Sequence, residues 1–283
     1  MKKESIKYLI SIVLSFILSV LCVLLSIILI LKITIFNEEF FRKQLEKSNY
    51  TSNVMDEVQK KFKSYGAASG FDEDFFKGAV SMDMLKADIY REASRLYSDT
   101  DKQIDATGFR KIMHEKLLVN IEDRGINVAD IDIEAIEYLS DVLTDAYVSV
   151  VSIPFTTQIS RYIQTLGKVN GIALIVISAI TLFCIRAIFI VNSSRRKKSR
   201  YFMYALGGTF LMMIIPVLYA FTNNRISKIA ISGRALYYLV QSYAKDFLNT
   251  FLILGGVFAL LWLLLLAYRR HVLYGDKIYK HNI

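Results

Sequence analysis

Three histidines, two cysteines and two acidic clusters are the residues of this 283-residue chain whose types and spacing invite a chemical reading. His114-Glu115 opens like the helix of a zinc protease, but the second histidine that such a helix places one turn later is missing. His271 and His281 stand in the C-terminal tail, so no zinc site is expected from the three. Asp99-x-Asp101 and Asp130-x-Asp132-x-Glu134 begin like calcium loops. Their sixth positions are Ile104 and Ala135, where a calcium loop needs glycine, and their twelfth are Arg110 and Asp141 in place of a bidentate Glu. Solvated helix caps explain these acids better. The chain has no phosphate-binding Gly-Lys-Ser loop, no dinucleotide glycine fingerprint and no Gly-x-Ser-x-Gly elbow. No catalytic, cofactor-binding or metal-binding residue is therefore assigned, and the expectation is a protein that is not an enzyme. A membrane-embedded hydrolase would need clustered acids near one membrane face, which Asp246 alone does not supply.

The elements that must position any site are set by hydropathy. Hydrophobic residues make up 54% of the chain and its mean hydropathy is +0.37, too apolar for an ordinary soluble domain. Tyr8 to Leu31 is free of charge and spans roughly 36 Å as a helix, enough to cross a hydrocarbon core. It is longer than a secretory signal core and no small-x-small site follows it, so an uncleaved anchor is expected. Three further spans are expected at Val169 to Val191, Tyr201 to Phe221 and Phe247 to Tyr268. Lys32 and Arg186 lie near span ends, where long basic side chains reach the headgroups.

Charge orients these spans. Between Asn37 and Gly167 there are 16 basic and 23 acidic residues, a net of −7 in a chain whose total is +9. Lys2, Lys3 and Lys7, the run Arg195 to Arg200, and Arg269, Arg270, Lys277 and Lys280 all fall on one side of a four-span arrangement. The positive-inside tendency makes that side cytoplasmic, with both termini on it. The basic run is too short a loop to read nucleic acid, and attraction to anionic membrane lipid accounts for it better.

In the first span Ser11, Ser15, Ser19, Cys22 and Ser26 share one helical stripe, which should face another helix. Ala205 with Thr209, beside Gly207 and Gly208, and Gly255 with Ala259 are the matching small pairs. Pro216 predicts a kink. Cys22 and Cys184 both lie in spans, so the segment between the first two spans must be held by core packing alone.

That segment, 37–168, reads as an all-helical extracytoplasmic domain. Asn37-Glu38-Glu39 predicts a helix start. Val54, Val58, Phe62 and Tyr65 form a stripe that Gly66 to Gly70 should end. Leu85, Ile89, Ala93 and Leu96 form another; Phe109, Met113 and Leu117, with Ile112 and Ile121, a further face. Ile133, Ile136, Leu139 or Val142, and Ala146 give a last helix interrupted at Pro154. Asp99-Thr100-Asp101 and Asp123-Arg124-Gly125 carry turn chemistry. Helical spacing continues through 36–48 and 155–168, which suggests a two-helix stalk. The second external loop, 222–246, is basic, and its apolar spacing predicts an amphipathic helix lying on lipid or against the acidic domain. Asn49-Tyr50-Thr51 matches a glycosylation triplet, relevant only to a eukaryotic source.

A basic start, one long span, a helical external segment opening Asn37-Glu38-Glu39-Phe40 and continuing Leu45-Glu46-Lys47-Ser48-Asn49-Tyr50, then three clustered spans, resembles uncharacterised four-span membrane proteins of Gram-positive bacteria. The resemblance implies a multi-pass plasma-membrane protein and supplies no catalytic motif. The organisation expected is 1–36 as cytoplasmic start and first span, 37–168 as the external domain, and 169–283 as a three-helix membrane region. The function expected is an accessory, scaffold or sensor subunit that binds a protein partner of the membrane or cell envelope, with homo-oligomerisation as a further option and no nucleic-acid partner. A small oligomeric transporter or channel is the alternative.

Overall fold

A computed structural model describes residues 2–98, 104–125, 132–153, 156–231 and 233–281. The described residues are helical and contain no strand. In chain order the helices are α1 (Lys2–Ile33), α2 (Glu38–Lys47), α3 (Tyr50–Ser69), α4 (Glu73–Ala79), α5 (Met82–Arg95), α6 (Ala106–Asp123), α7 (Ile133–Val151), α8 (Thr156–Val191), α9 (Arg195–Thr222) and α10 (Arg234–His281), and a 3₁₀ turn lies at Ile226–Lys228. Four helical stretches are long and apolar enough to cross a membrane: Glu4–Ile33, Ile133–Val191, which takes in α7 and α8, Arg195–Thr222 and Arg234–His271. The chain divides into two compact units. A span unit comprises 1–35, 166–229 and 243–283, and a helical domain comprises 36–165 and 230–242.

In the span unit the serine stripe of α1 is buried against its neighbours, as its spacing predicts. Lipid offers no hydrophobic drive for helix association, so small residues and hydrogen bonds do the joining. Ser15 Oγ donates to the Tyr201 carbonyl at 2.6 Å, Thr209 Oγ1 to that of Ser19 at 3.3 Å, and Asn192 Nδ2 to Ser11 Oγ at 2.9 Å. Ala205 and Thr209 are buried with them. A β-carbon on Gly208 would meet Ser19 at 3.3 Å, one on Gly207 would meet the indole of Trp262 at 3.1 Å, and one on Gly255 would press on Ile214 at 2.8 Å. The small residues are thus required by close approach. Arg186 is exposed on α8, and α9 runs through Pro216 without an interruption of helix.

The helical domain is built from caps and stripes. Asn37 caps α2 by accepting from the amides of Glu39 and Phe40, Ser81 caps α5, Asp105 caps α6 and Asp132 caps α7, each satisfying donors that a helix start leaves unpaired. The core takes Val54, Val58 and Phe62 from α3, Leu85, Ile89 and Ala93 from α5, Phe109, Met113 and Leu117 from α6, and Ile136, Leu143 and Tyr147 from α7.

Four features differ from the sequence expectation. The extension of α1 is broken, because α1 ends at Ile33 and a turn precedes the Asn37 cap; only α8 continues unbroken from Thr156 into its span. Tyr65, expected in the α3 stripe, is exposed, although α3 does end within Gly66 to Gly70 as expected, at Ser69 before Gly70, whose φ is +77°. Ile112 and Ile133 are exposed. Finally, Ala235 and Leu239, at the start of α10, are 2% and 5% exposed inside the domain core. The anchoring of 230–242 in the domain is therefore apolar, aided by the Ala235 amide donating to Glu57 Oε1 at 3.3 Å and Ser242 Oγ to Gln44 Oε1 at 2.8 Å. The turn at Asp99-Thr100-Asp101, the cluster beginning at Asp130, and Pro154 lie outside the described residues.

Candidate functional site

Helix α7 carries two stripes. Ile136, Ser140, Leu143 and Tyr147 face the core, while Ala135, Tyr138, Val142, Asp145 and Ser149, spaced 3, 4, 3 and 4, share a second face. Lys61, Tyr65 and Ser69 repeat at four residues along α3 and stand opposite. Between the two helices lies a cavity of about 720 Å³ bordered by both stripes, with Leu139 and Ala146 in its apolar lining. Lys61 Nζ crosses it to donate to Ser149 Oγ at 2.8 Å. Tyr138 is 72% exposed on its rim, where its amphipathic ring is open to a partner. Glu134, Glu137 and Asp145 are exposed along the same side of α7 and make that rim acidic.

A smaller hollow of about 280 Å³ shares Ser69, Ala135 and Leu139 with the groove, so the two are continuous. Its end is shaped by Arg124, which donates to the Gly70 carbonyl at 2.9 Å and to Asp72 Oδ2 at 2.7 Å and lies 5.6 Å over the Phe71 ring. Gly70 supplies the left-handed turn that lets Phe71 fold back there.

Behind the groove, Tyr147 fixes α7. Its ring stacks on Phe109 with centroids 4.0 Å apart, and its hydroxyl donates to Asp88 Oδ2 at 2.7 Å. Burial, then this bond and the Asp88 charge, push the Tyr147 phenol well above its ordinary range. Arg91 pairs with the other Asp88 oxygen at 3.1 Å. One turn on, Glu92 pairs with Arg95 at 2.6 Å, and its Oε2 has no hydrogen-bond partner. Asp88 and Glu92 are buried, so substrate cannot reach them, and Asp88 joins α5 to α7 through Tyr147 while Glu92 pairs within α5. Tyr90, half-buried and donating to Glu46 Oε1 at 2.6 Å, has its phenol pushed up to about 12, first by desolvation and then by that bond.

The residues singled out from the sequence are not brought together. His114 Nδ1 lies 3.4 Å from Ser140 Oγ with no second imidazole beside it. Asp132 is a cap, and Asp141 pairs with Arg110. Among the described residues no three His, Cys, Asp or Glu side chains are grouped to hold a metal. The sequence reading missed the outer stripe of α7. Its signal is the spacing of Tyr138, Val142, Asp145 and Ser149, hidden when Leu139 or Val142 is given to the core face. Comparison with known families, curated proteins and solved structures finds no match to this chain.

Proposed function

We propose that the chain is a non-enzymatic multi-pass protein of the plasma membrane, an accessory, scaffold or sensor subunit whose helical domain lies outside the cytoplasm and holds a segment of a protein partner in the α3/α7 groove. The observation that carries this reading is Tyr138, left 72% exposed at the mouth of a groove with an apolar floor. Exposed aromatic rings beside a concave apolar surface are the usual anchors of protein interfaces. The acidic rim and the net −7 of the segment favour a partner segment with one apolar face and flanking lysine or arginine. The orientation follows from the basic residues at both termini and in 195–200.

The reading as a small transporter or channel has less support. A conducting path needs free polar groups, and the hydroxyls of α1 are buried and spent on carbonyls, as when Ser26 Oγ donates to the Cys22 carbonyl at 2.8 Å. The test is a photo-crosslinking residue placed at Tyr138 in intact cells, with Lys111 on α6 as control. A discrete protein adduct at 138, absent at 111 and lost when Tyr65→Glu is added, is the expected result. Equal adducts at both positions, or flux through liposomes carrying the purified protein, would overturn the proposal.

A further inference from the structure

A second cavity, of about 200 Å³, lies in the span unit where α1 begins, α8 ends and α9 begins. Lys7 and Tyr8 of α1, Asn192 and Ser193 after α8, and Lys197, Arg200 and Tyr201 of α9 border it, with Glu4 as its one carboxylate. Glu4 is exposed and only 3.9 Å from Lys197, a weak pairing that leaves the cavity net positive.

Arg200 is held in a particular way. Its guanidinium lies 5.5 Å over the Tyr8 ring and 5.1 Å from that of Tyr201, and Nη2 donates to the Tyr201 hydroxyl at 3.1 Å. The Tyr201 ring is itself fully buried, which fixes that side of the frame. Nε is closed to solvent and has no hydrogen-bond partner. A guanidinium held against two rings presents a planar, fixed positive charge, the group best suited to grip a phosphate. Immediately beyond Tyr8, α1 turns an exposed apolar face outward at Leu9, Val13 and Phe16. A ligand seated by its phosphate on Lys7 and Arg200 can therefore lay acyl chains along that face.

From this we infer that the cavity bordered by Lys7, Tyr8, Lys197 and Arg200 binds the phosphate of an anionic phospholipid headgroup. The site differs from diffuse attraction to the basic loop, since Arg195, Arg196 and Lys198 do not border it and Lys198 lies instead over Phe189, 4.9 Å from its centroid. It requires only that these helices cross a membrane and is independent of what the α3/α7 groove holds.

Native mass spectrometry of the full-length protein, titrated with phosphatidylglycerol or with phosphatidylcholine, tests the assignment. Wild type should retain phosphatidylglycerol at about tenfold lower lipid concentration than phosphatidylcholine. Lys7→Gln, an exposed substitution that leaves the fold intact, should weaken retention about fivefold, the effect of one basic group near a headgroup, and Arg200→Gln about tenfold or more. The paired substitution Arg195→Gln and Lys198→Gln should leave retention unchanged. Equal retention of the two lipids, an unchanged Lys7→Gln protein, or a loss with the loop pair as large as that with Arg200→Gln would overturn the site. A third arm adds millimolar inorganic phosphate: displacement of phosphatidylglycerol by it would refute the lipid assignment in favour of a soluble phosphate ligand.

Discussion

Leu239→Ala probes the least expected feature of the helical domain, the presence of 230–242 in its core. Leu239 is 5% exposed and belongs to the same buried cluster as Tyr50, Val54 and Val58 of α3. Removing a buried leucine to alanine costs about 2 to 5 kcal/mol, and a position at the margin of the core belongs at the low end, about 2 to 3 kcal/mol. That corresponds to a rise of roughly 30- to 150-fold in the opening equilibrium of whatever unit Leu239 stabilises. Hydrogen exchange of the full-length protein in micelles reads the effect by peptide. Amides of α3 and α7 should exchange faster by that factor, although α3 is some 180 residues away in sequence, while α1 and α9 stay unchanged. Acceleration confined to 234–242, with α3 untouched, would show that the segment merely drapes over the domain and would refute the reasoning.

Tyr147→Phe keeps the stack on Phe109 but takes the phenol donor from buried Asp88, and should lower stability by about 1 to 3 kcal/mol; an unchanged thermal midpoint by near-ultraviolet circular dichroism would contradict it. Raised phenols make the domain sensitive to alkali. Tyr50, pushed up to about 12 by burial and then by the Glu57 charge, and Tyr90, also at about 12, hold their protons more tightly folded than unfolded, where tyrosine titrates near about 10. Their contribution is complete below pH 10 and is lost as pH rises from about 10 to 12, so helicity should fall as these late tyrosinates appear; titration of every tyrosine near 10 with helicity intact would exclude this. For orientation, Ser64→Cys should react with an impermeant thiol reagent in intact cells and Ser193→Cys only after lysis, and the reverse pattern would invert the proposed topology.

The sequence was most legible where one periodicity served one burial demand. The stripes on α3, α5 and α6 are buried at most of the residues their spacing selects, Val58, Ile89 and Met113 among them, with Tyr65 and Ile112 left exposed, and Asn37 caps α2 as its position before two acids implies. Legibility failed where one helix serves two faces. On α7, apolar residues occupy both the core stripe and the groove stripe, so single-face periodicity gives Ile133, and either Leu139 or Val142, to the core and passes over Tyr147. For residues 230–242 the spacing leaves lipid and domain both open, and the structure takes the domain through apolar contacts. Their amphipathic pattern fits a lipid surface and a protein core equally well, and only long-range folding, which local spacing does not encode, selects the core.

The span unit shows how the small-residue stripe and the lipid cavity depend on one another. Each interhelical hydrogen bond in a membrane is worth only about 0.6 kcal/mol on average, so Ser15 to the Tyr201 carbonyl, Thr209 to the Ser19 carbonyl and Asn170 Nδ2 to the Ile28 carbonyl at 3.1 Å contribute little to stability one by one. Their effect is on register. Ser15 and Ser19 meet α9 at points one turn apart on α1 and about two turns apart on α9, and a slip of α1 by one turn would move Tyr8 about 5.4 Å along the helix axis, away from the guanidinium of Arg200. Ser15→Val and Thr209→Val together should therefore weaken phosphatidylglycerol retention without touching a cavity residue, while either valine alone, with the other bond still holding register, should have a smaller effect. If the double substitution left retention at the wild-type level, the cavity would be set by Arg200 and its two tyrosines alone, and the serine stripe would serve close approach only.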